Sequence, residues 1–168
     1  MKTIMLVGYG RAGKDIGGEY LEKITGLKFA GTTSKYLTKY VAETLKISEE
    51  EAYKDRHENR MYWFNLGNKL RVDDPGFLIK QALLVGPITG GVRDIAEVVH
   101  ARQTGLIDLI IWVENKRVDV DPTVTFGPQD CDYIVQNNGT IEEYQFKLKR
   151  LAKFAGLLKE ENDNHLSA

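Results

Sequence analysis

A three-layer α/β/α fold around a mostly parallel sheet is predicted by three features of this 168-residue chain. An apolar run from Thr3 to Val7 breaks into Gly8-Tyr9-Gly10-Arg11-Ala12-Gly13-Lys14-Asp15. Leu106 to Val113 is a nearly continuous apolar run, the composition that burial on both faces of a central strand demands. Between and beyond them, strand-like and helix-like segments alternate, which implies a parallel sheet covered on both faces with ligands at the carboxyl ends of its strands.

The first strand opens into the spacing G-x-x-x-x-G-K, from Gly8 to Lys14. Such a loop lets a chain leave a buried strand, wrap its amides around phosphate oxygens and enter a helix whose dipole favours anions. Lys14 then reaches the β- and γ-phosphates. Asp15 stands where Ser or Thr usually sends a hydroxyl to Mg²⁺; a carboxylate is a hard-oxygen partner for that ion, directly or through water. Ile16, Tyr20, Leu21 and Ile24 recur at helical spacing up to Gly26, a stop.

Lys28-Phe29-Ala30-Gly31 reads as a second strand, and Thr32-Thr33-Ser34 as a cap before Tyr36, Leu37, Tyr40, Val41 and Leu45. Ser48 with Glu51 forms a capping-box pattern opening a helix expected to run through Arg56, Arg60 and Trp63 towards Leu70. Asp74-Pro75-Gly76 marks a turn before a helix from Phe77 to Leu83. Ala82 to Val85 is a candidate short strand, with Pro87 ending regular pairing and Ile88 to Gly91 forming a loop.

Val92, Ile95, Val98 and Val99 then repeat as a helix before the central Leu106–Val113 strand. Asn115 to Pro128 is polar, with Asp121-Pro122 and Gly127-Pro128, and reads as an exposed loop able to close over a ligand. Asp132 to Gln136 is a last strand. Thr140 and Glu143 cap a helix bearing Ile141, Tyr144, Leu148, Leu151 and Ala155, and the tail after Leu158 is expected to fray.

This length suits one domain with a core that needs no disulfide. A formal net charge of −1, with signs mixed along the chain, provides no bulk basic field for tight duplex binding or membrane attachment. Cys131 is alone, so no internal disulfide forms, and the N-terminal apolar run is too short for a membrane span; a cytoplasmic protein is expected. His57, His100 and His165 lie far apart in sequence and away from the cysteine, which argues against a metal cluster of protein ligands. The guanine-reading pattern N-K-x-D has only a near miss in Asn115-Lys116-Arg117-Val118-Asp119, with the aspartate one residue late.

As an ordered set, the motifs resemble the small phage P-loop kinases of the deoxynucleoside monophosphate kinase type, and more distantly other nucleotide kinases. The resemblance covers most of the chain. It is carried by the Gly8–Asp15 loop, Leu66-Gly67-Asn68-Lys69-Leu70-Arg71, Ile88-Thr89-Gly90-Gly91-Val92-Arg93 with Glu97, Asp121-Pro122-Thr123, and Asn137-Asn138-Gly139-Thr140. It implies a P-loop NTPase fold of nucleotide-kinase type, one domain over 1–168, with a helical acceptor-binding insertion at about 32–80 and a lid-like loop at about 114–130. It also implies ATP and Mg²⁺ as cofactors and a host-cytoplasm location if the chain is phage-encoded; monomer and homodimer both stay open.

On this reading the donor site comprises Gly8, Tyr9, Gly10, Arg11, Ala12, Gly13, Lys14, Asp15 and Ile16, with Asn138 and a lid bearing Lys116 and Arg117. Thr33 to Arg71 supplies the acceptor site, including Thr33 and Trp63. Arg56, Arg60, Arg71 and Arg93 are candidates for acceptor or transferring phosphates, since a guanidinium grips phosphate oxygens in a bidentate fork. Lys14, Asp15 and Arg93 are the expected catalytic groups and Asp15 the metal ligand. Tyr62-Trp63-Phe64, among Arg56, Arg60 and Lys69, offers one or two rings for stacking on a base and the rest for the core.

Related kinases often carry an aspartate where this chain has Gly90-Gly91, leaving Asp15, Asp94 and Glu97 as substitutes. The expected acceptor is a free deoxynucleoside monophosphate. The alternative is the related phage class that phosphorylates the hydroxymethyl group of 5-hydroxymethyluracil within DNA. A regulatory protein that holds ATP without transferring phosphate is a third reading.

Overall fold

A computed structural model describes residues 1–158. The tail after Leu158, and His165 with it, lies outside the described residues. In chain order the elements are β1 (Ile4–Val7), α1 (Lys14–Thr25), β2 (Phe29–Thr32), α2 (Thr33–Leu45), α3 (Glu49–Lys54), α4 (Arg60–Leu70), α5 (Phe77–Leu83), β3 (Ile88–Gly90), α6 (Ile95–Gln103), β4 (Leu109–Glu114), β5 (Tyr133–Gln136) and α7 (Ile141–Phe154). The strands form one sheet in the order β2-β3-β1-β4-β5, and each neighbouring pair is parallel. This is the expected α/β fold.

Strand alternation divides the core into two layers. Ile4 and Leu6 of β1, with Ile111 and Val113 of β4, face α1 and α7 and pack on Leu21, Tyr144 and Leu148. Met5 and Val7, with Ile110 and Trp112, face the opposite side and pack on Val98, Ala101 and Phe126. There Trp112 stands edge-on between Tyr9, at 5.3 Å between ring centroids, and Phe126, at 6.0 Å. A third cluster, Leu37, Val41, Ala42, Ala52, Trp63 and Leu78, belongs to the helices between β2 and β3.

Several expectations are corrected. Ile88–Gly90 is a fully buried strand beside β1 rather than a loop, and Ala82–Val85 completes α5 and its turn. Pro87 does not end pairing: it precedes the strand, where its missing N–H costs nothing, and its carbonyl accepts from Ile4 N at 2.8 Å. The helix expected through Ser48–Leu70 is broken between Lys54 and Arg60, and a new helix starts at Arg60. Helix α6 begins at Ile95 and not at Val92, because Asp94 accepts from Ala96 N while Glu97 accepts from Asp94 N.

The 115–128 segment is not an exposed loop throughout, since Asp121, Thr123 and Phe126 are buried. Ile16 is exposed on α1, where Gly17, Gly18 and Leu21 form the buried face instead. Among the described residues no helix is long and apolar enough to cross a membrane.

Candidate active site

The loop between β1 and α1 takes its shape from backbone conformations that favour glycine: φ is +141° at Gly8, +64° at Arg11 and +106° at Gly13. At Gly8 a side chain would put its Cβ 2.6 Å from the Val113 carbonyl oxygen. Four of the loop's own carbonyls are occupied by side-chain donors. Asn137 Nδ2 donates to Ala12 O at 2.9 Å, the Tyr144 hydroxyl to Gly13 O at 3.1 Å, and Lys14 Nζ to Gly8 O and Tyr9 O at 3.0 and 2.6 Å. Among the described residues the amides of Gly10, Arg11 and Gly13 have no protein acceptor, and α1 begins at Lys14 with its first-turn N–H groups free of helical partners. Together these form a cradle for anionic oxygens.

Beside the loop lies a cleft of about 100 Å³ between α1, the start of α2, α4 and the turn after β3. It gathers Gly10, Arg11, Lys14, Asp15, Thr33, Arg56, Arg60, Trp63, Arg71 and Arg93. Ten of the expected site residues are therefore together although the sequence scatters them over some eighty positions. Trp63 is almost wholly buried in the insertion's core and offers the cleft only part of its ring; Phe64, Leu37 and Leu78 complete the apolar wall.

Each arginine is held differently. Arg60 Nη1 donates to Asp121 Oδ2 at 2.8 Å, and its guanidinium lies against Gly10, where a Cβ would stand 2.7 Å from Nη2. Arg93 Nη1 donates to the same Asp121 oxygen and to Thr123 Oγ1 at 2.9 Å. Arg71 Nη2 donates to Asn68 Oδ1, and its Nη1 stands 3.4 Å from Glu97 Oε1. Arg56 stacks on the Tyr53 ring at 3.9 Å and donates to Tyr53 O.

Six cationic side chains thus line the cleft with one carboxylate, Asp15, while Asp121 and Glu97 stand behind their arginines. The excess shows in the titrating groups. Burial, then repulsion by Arg93, lowers Lys14 to about 8 although Asp15 and Asp121 pull it upward. Burial and then Arg56, Arg11 and Arg60 lower His57, whose Nδ1 meets Arg60 Nη2 at 3.3 Å. Burial raises the Asp121 carboxyl, but the Thr123 hydroxyl and Arg93 outweigh it and leave the group below its ordinary value.

Arg117, Asn138 and Ile16 do not line this cleft. Arg117 donates to Asn137 O and Asn115 Oδ1, and Asn138 Oδ1 accepts from Lys116 N, so both tie the ends of β4 and β5 together behind the loop. Tyr9 and Ala12 support the loop from below: Ala12 is buried and Tyr9 rests on Trp112. Asp94 and Glu97, expected as substitute acids, are committed to the α6 cap; Glu97 Oε2 accepts from Arg93 N and Asp94 N, and burial raises its pKa while Arg71 and these amides oppose the rise.

Sequence reasoning gave no site role to His57 or to Asp121, although it singled out the Asp121-Pro122-Thr123 motif. Asp121-Pro122-Thr123 carried a usable signal, because an aspartate whose carboxylate caps the amide and hydroxyl two residues on is locked in place.

Among the described residues no group of three or more His, Cys, Asp or Glu side chains lies together as a protein-only metal site. A single carboxylate such as Asp15 beside a phosphate cradle fits Mg²⁺ instead, an ion that keeps waters and takes one or two carboxylates plus substrate phosphates.

No protein-family model and no curated protein matches the chain. Among solved structures it is similar to a shikimate kinase from Bacteroides thetaiotaomicron, at TM-score 0.45 and 13% identity over 92% of this chain and 98% of that one. It is likewise similar to a shikimate kinase from Acinetobacter baumannii in complex with shikimate, at TM-score 0.47 and 13% identity over 93% of this chain and 94% of that one.

Proposed function

We propose that this chain is an ATP-dependent P-loop kinase that transfers the γ-phosphoryl group to a free deoxynucleoside monophosphate. One observation carries the reading: a phosphate cradle with its lysine opens directly into a cleft lined by Lys14, Arg11, Arg56, Arg60, Arg71 and Arg93. Such a cationic excess suits two phosphate-bearing reactants brought end to end, because phosphoryl transfer asks a protein chiefly to position them and neutralise spread negative charge.

The loop amides and Lys14 hold the donor's β- and γ-phosphates, while Arg60 and Arg93 face the group in flight. Asp15, together with the substrate phosphates, would hold Mg²⁺, which would supply neutralisation of phosphate charge. Arg56 and Arg71 bind the acceptor's phosphate, and the apolar wall of Leu37, Trp63, Phe64 and Leu78 receives its base. An acceptor oxygen forms the new bond to the γ-phosphorus as the bond to the bridging oxygen breaks, and ADP leaves with that electron pair.

A phosphate acceptor is already ionised and needs no base, whereas a hydroxyl acceptor gains from one. Asp121 has its oxygens committed to two arginines and Thr123, and Glu97 is committed to its cap, which favours the monophosphate over the hydroxymethyl group of 5-hydroxymethyluracil in DNA. Incubation with γ-labelled ATP and Mg²⁺, each deoxynucleoside monophosphate, and hydroxymethyluracil-containing DNA decides. Label in a diphosphate is expected; label only in DNA transfers the assignment to the DNA-kinase class, and label in neither overturns the kinase reading.

A further inference from the structure

We propose that Asp121 is a positioning residue that holds the Arg60 and Arg93 guanidiniums side by side on the phosphoryl group as it moves from donor to acceptor. The inference rests on the kinase reading and adds to it a residue that touches neither reactant. Asp121 has a side-chain exposure of 0%, against 26% for Arg60 and 28% for Arg93, so the carboxylate stands behind the two cations and they face the cleft.

Its two oxygens divide the work. Oδ1 accepts from Thr123 N at 3.1 Å and from the Thr123 hydroxyl at 2.6 Å, which fixes the carboxylate plane. Oδ2 accepts from Nη1 of both arginines. Arg60 comes from α4 in the helical insertion and Arg93 from the turn after β3 in the sheet, so a single buried oxygen joins the two walls of the cleft.

Two guanidiniums meeting at one point repel each other, and in a partly desolvated cleft that repulsion is weakly screened. With the carboxylate between them they stay converged before any anion arrives, so the arrangement that the transition state needs exists beforehand. Arg60 is also pressed against Gly10 of the phosphate loop, so the pair Asp121 aligns is already beside the donor phosphates. Asp121 cannot act as a proton acceptor here, since its oxygens are sealed from the cleft by the groups they bind.

Asp121→Asn keeps the shape and halves the hold, because an amide oxygen can serve only one side of the arrangement. With the full chain, ATP and Mg²⁺, and whichever acceptor the wild type labels, kcat should fall about 30-fold or more, while KM for ATP stays within about twofold. Thr123→Val, which removes the hydroxyl that locks Oδ1 and also accepts from Arg93 Nη1, should lower kcat about fivefold while KM for ATP stays within about twofold.

Combining Asp121→Asn with Arg60→Ala and Arg93→Ala should add less than about twofold to the arginine double variant, because Asp121 works through those side chains. If Asp121→Asn proves unstable, Thr123→Val in an Arg93→Ala background, where the hydroxyl acts only through Asp121, carries the test, with a further fall in kcat expected. Wild-type kcat in both variants, a change confined to KM for ATP, or a full multiplicative loss in the arginine double variant overturns the inference and leaves the kinase reading intact. Failure of the wild type to label any acceptor overturns both.

Discussion

Lys14 carries a cost that an anionic ligand removes, and Lys14→Met measures it. Burial, then Arg93, holds the ammonium at about 8 instead of its ordinary 10.5. That displacement corresponds to on the order of 3 kcal/mol by which the folded state disfavours the charged form at neutral pH. The folded value lies below the unfolded one, so the penalty is fully present below about pH 8 and fades as pH rises towards 10.5.

Methionine keeps the stem without the charge and gives up two bonds to Gly8 O and Tyr9 O, a loss of about 1.5 kcal/mol or more each that does not vary with the titration of Lys14. In urea unfolding of the nucleotide-free proteins, wild type should therefore gain stability relative to the variant by about 2–3 kcal/mol between pH 7 and pH 10, as the penalty on the ammonium fades. On the proposed kinase reading, phosphoryl transfer should fall by about 10²-fold or more, since the cation assigned to the γ-phosphate is gone. A stability difference between the two proteins that stays constant from pH 7 to pH 10 refutes the burial argument. Undiminished transfer refutes the role of Lys14.

Two further perturbations probe the frame around that lysine. Gly8→Ala places a side chain at φ +141° against the Val113 carbonyl, which cannot yield without moving β4; a loss of about 3 kcal/mol or more is expected, and a melting temperature within a degree of wild type would contradict it. Glu97 has a folded pKa raised above its ordinary 4.5, so folding binds a proton there and wild-type stability falls as pH climbs from 4.5 towards the raised value. Glu97→Gln retains the cap's acceptor and lacks this fall; superimposable stability-versus-pH curves for the two proteins would refute the assignment.

The parts of the fold that were legible in the sequence are those governed by local rules. The phosphate loop, the α7 capping box and the β4 apolar run all rest on spacing within about ten residues; the first two appear as expected, while β4 starts at Leu109 rather than Leu106 and runs to Glu114. Strand β3 was hidden because it is only three residues long and follows a proline, and its identity comes from pairing with β1 and β2 rather than from its own pattern. The five cleft arginines could be nominated by chemistry, but the counter-charges of three could not: Asp121 meets Arg60 and Arg93 across the chain, and Glu97 meets Arg71. Trp63 illustrates the same limit, since three consecutive aromatics on a helix must divide between core and cleft, and only the packing of α2, α4 and α5 decides which goes where.

The chain has two tryptophans, and the fold gives each a separate post. Trp63 sits in the wall that the insertion presents to the cleft, whereas Trp112 lies under the phosphate loop with Tyr9 edge-on above it. Replacing one indole at a time with phenylalanine leaves a protein whose ultraviolet emission reports a single compartment. Titrating such variants with donor alone, acceptor alone and both would separate the optical response of the loop from that of the helical wall, and would reveal the order in which the two compartments fill.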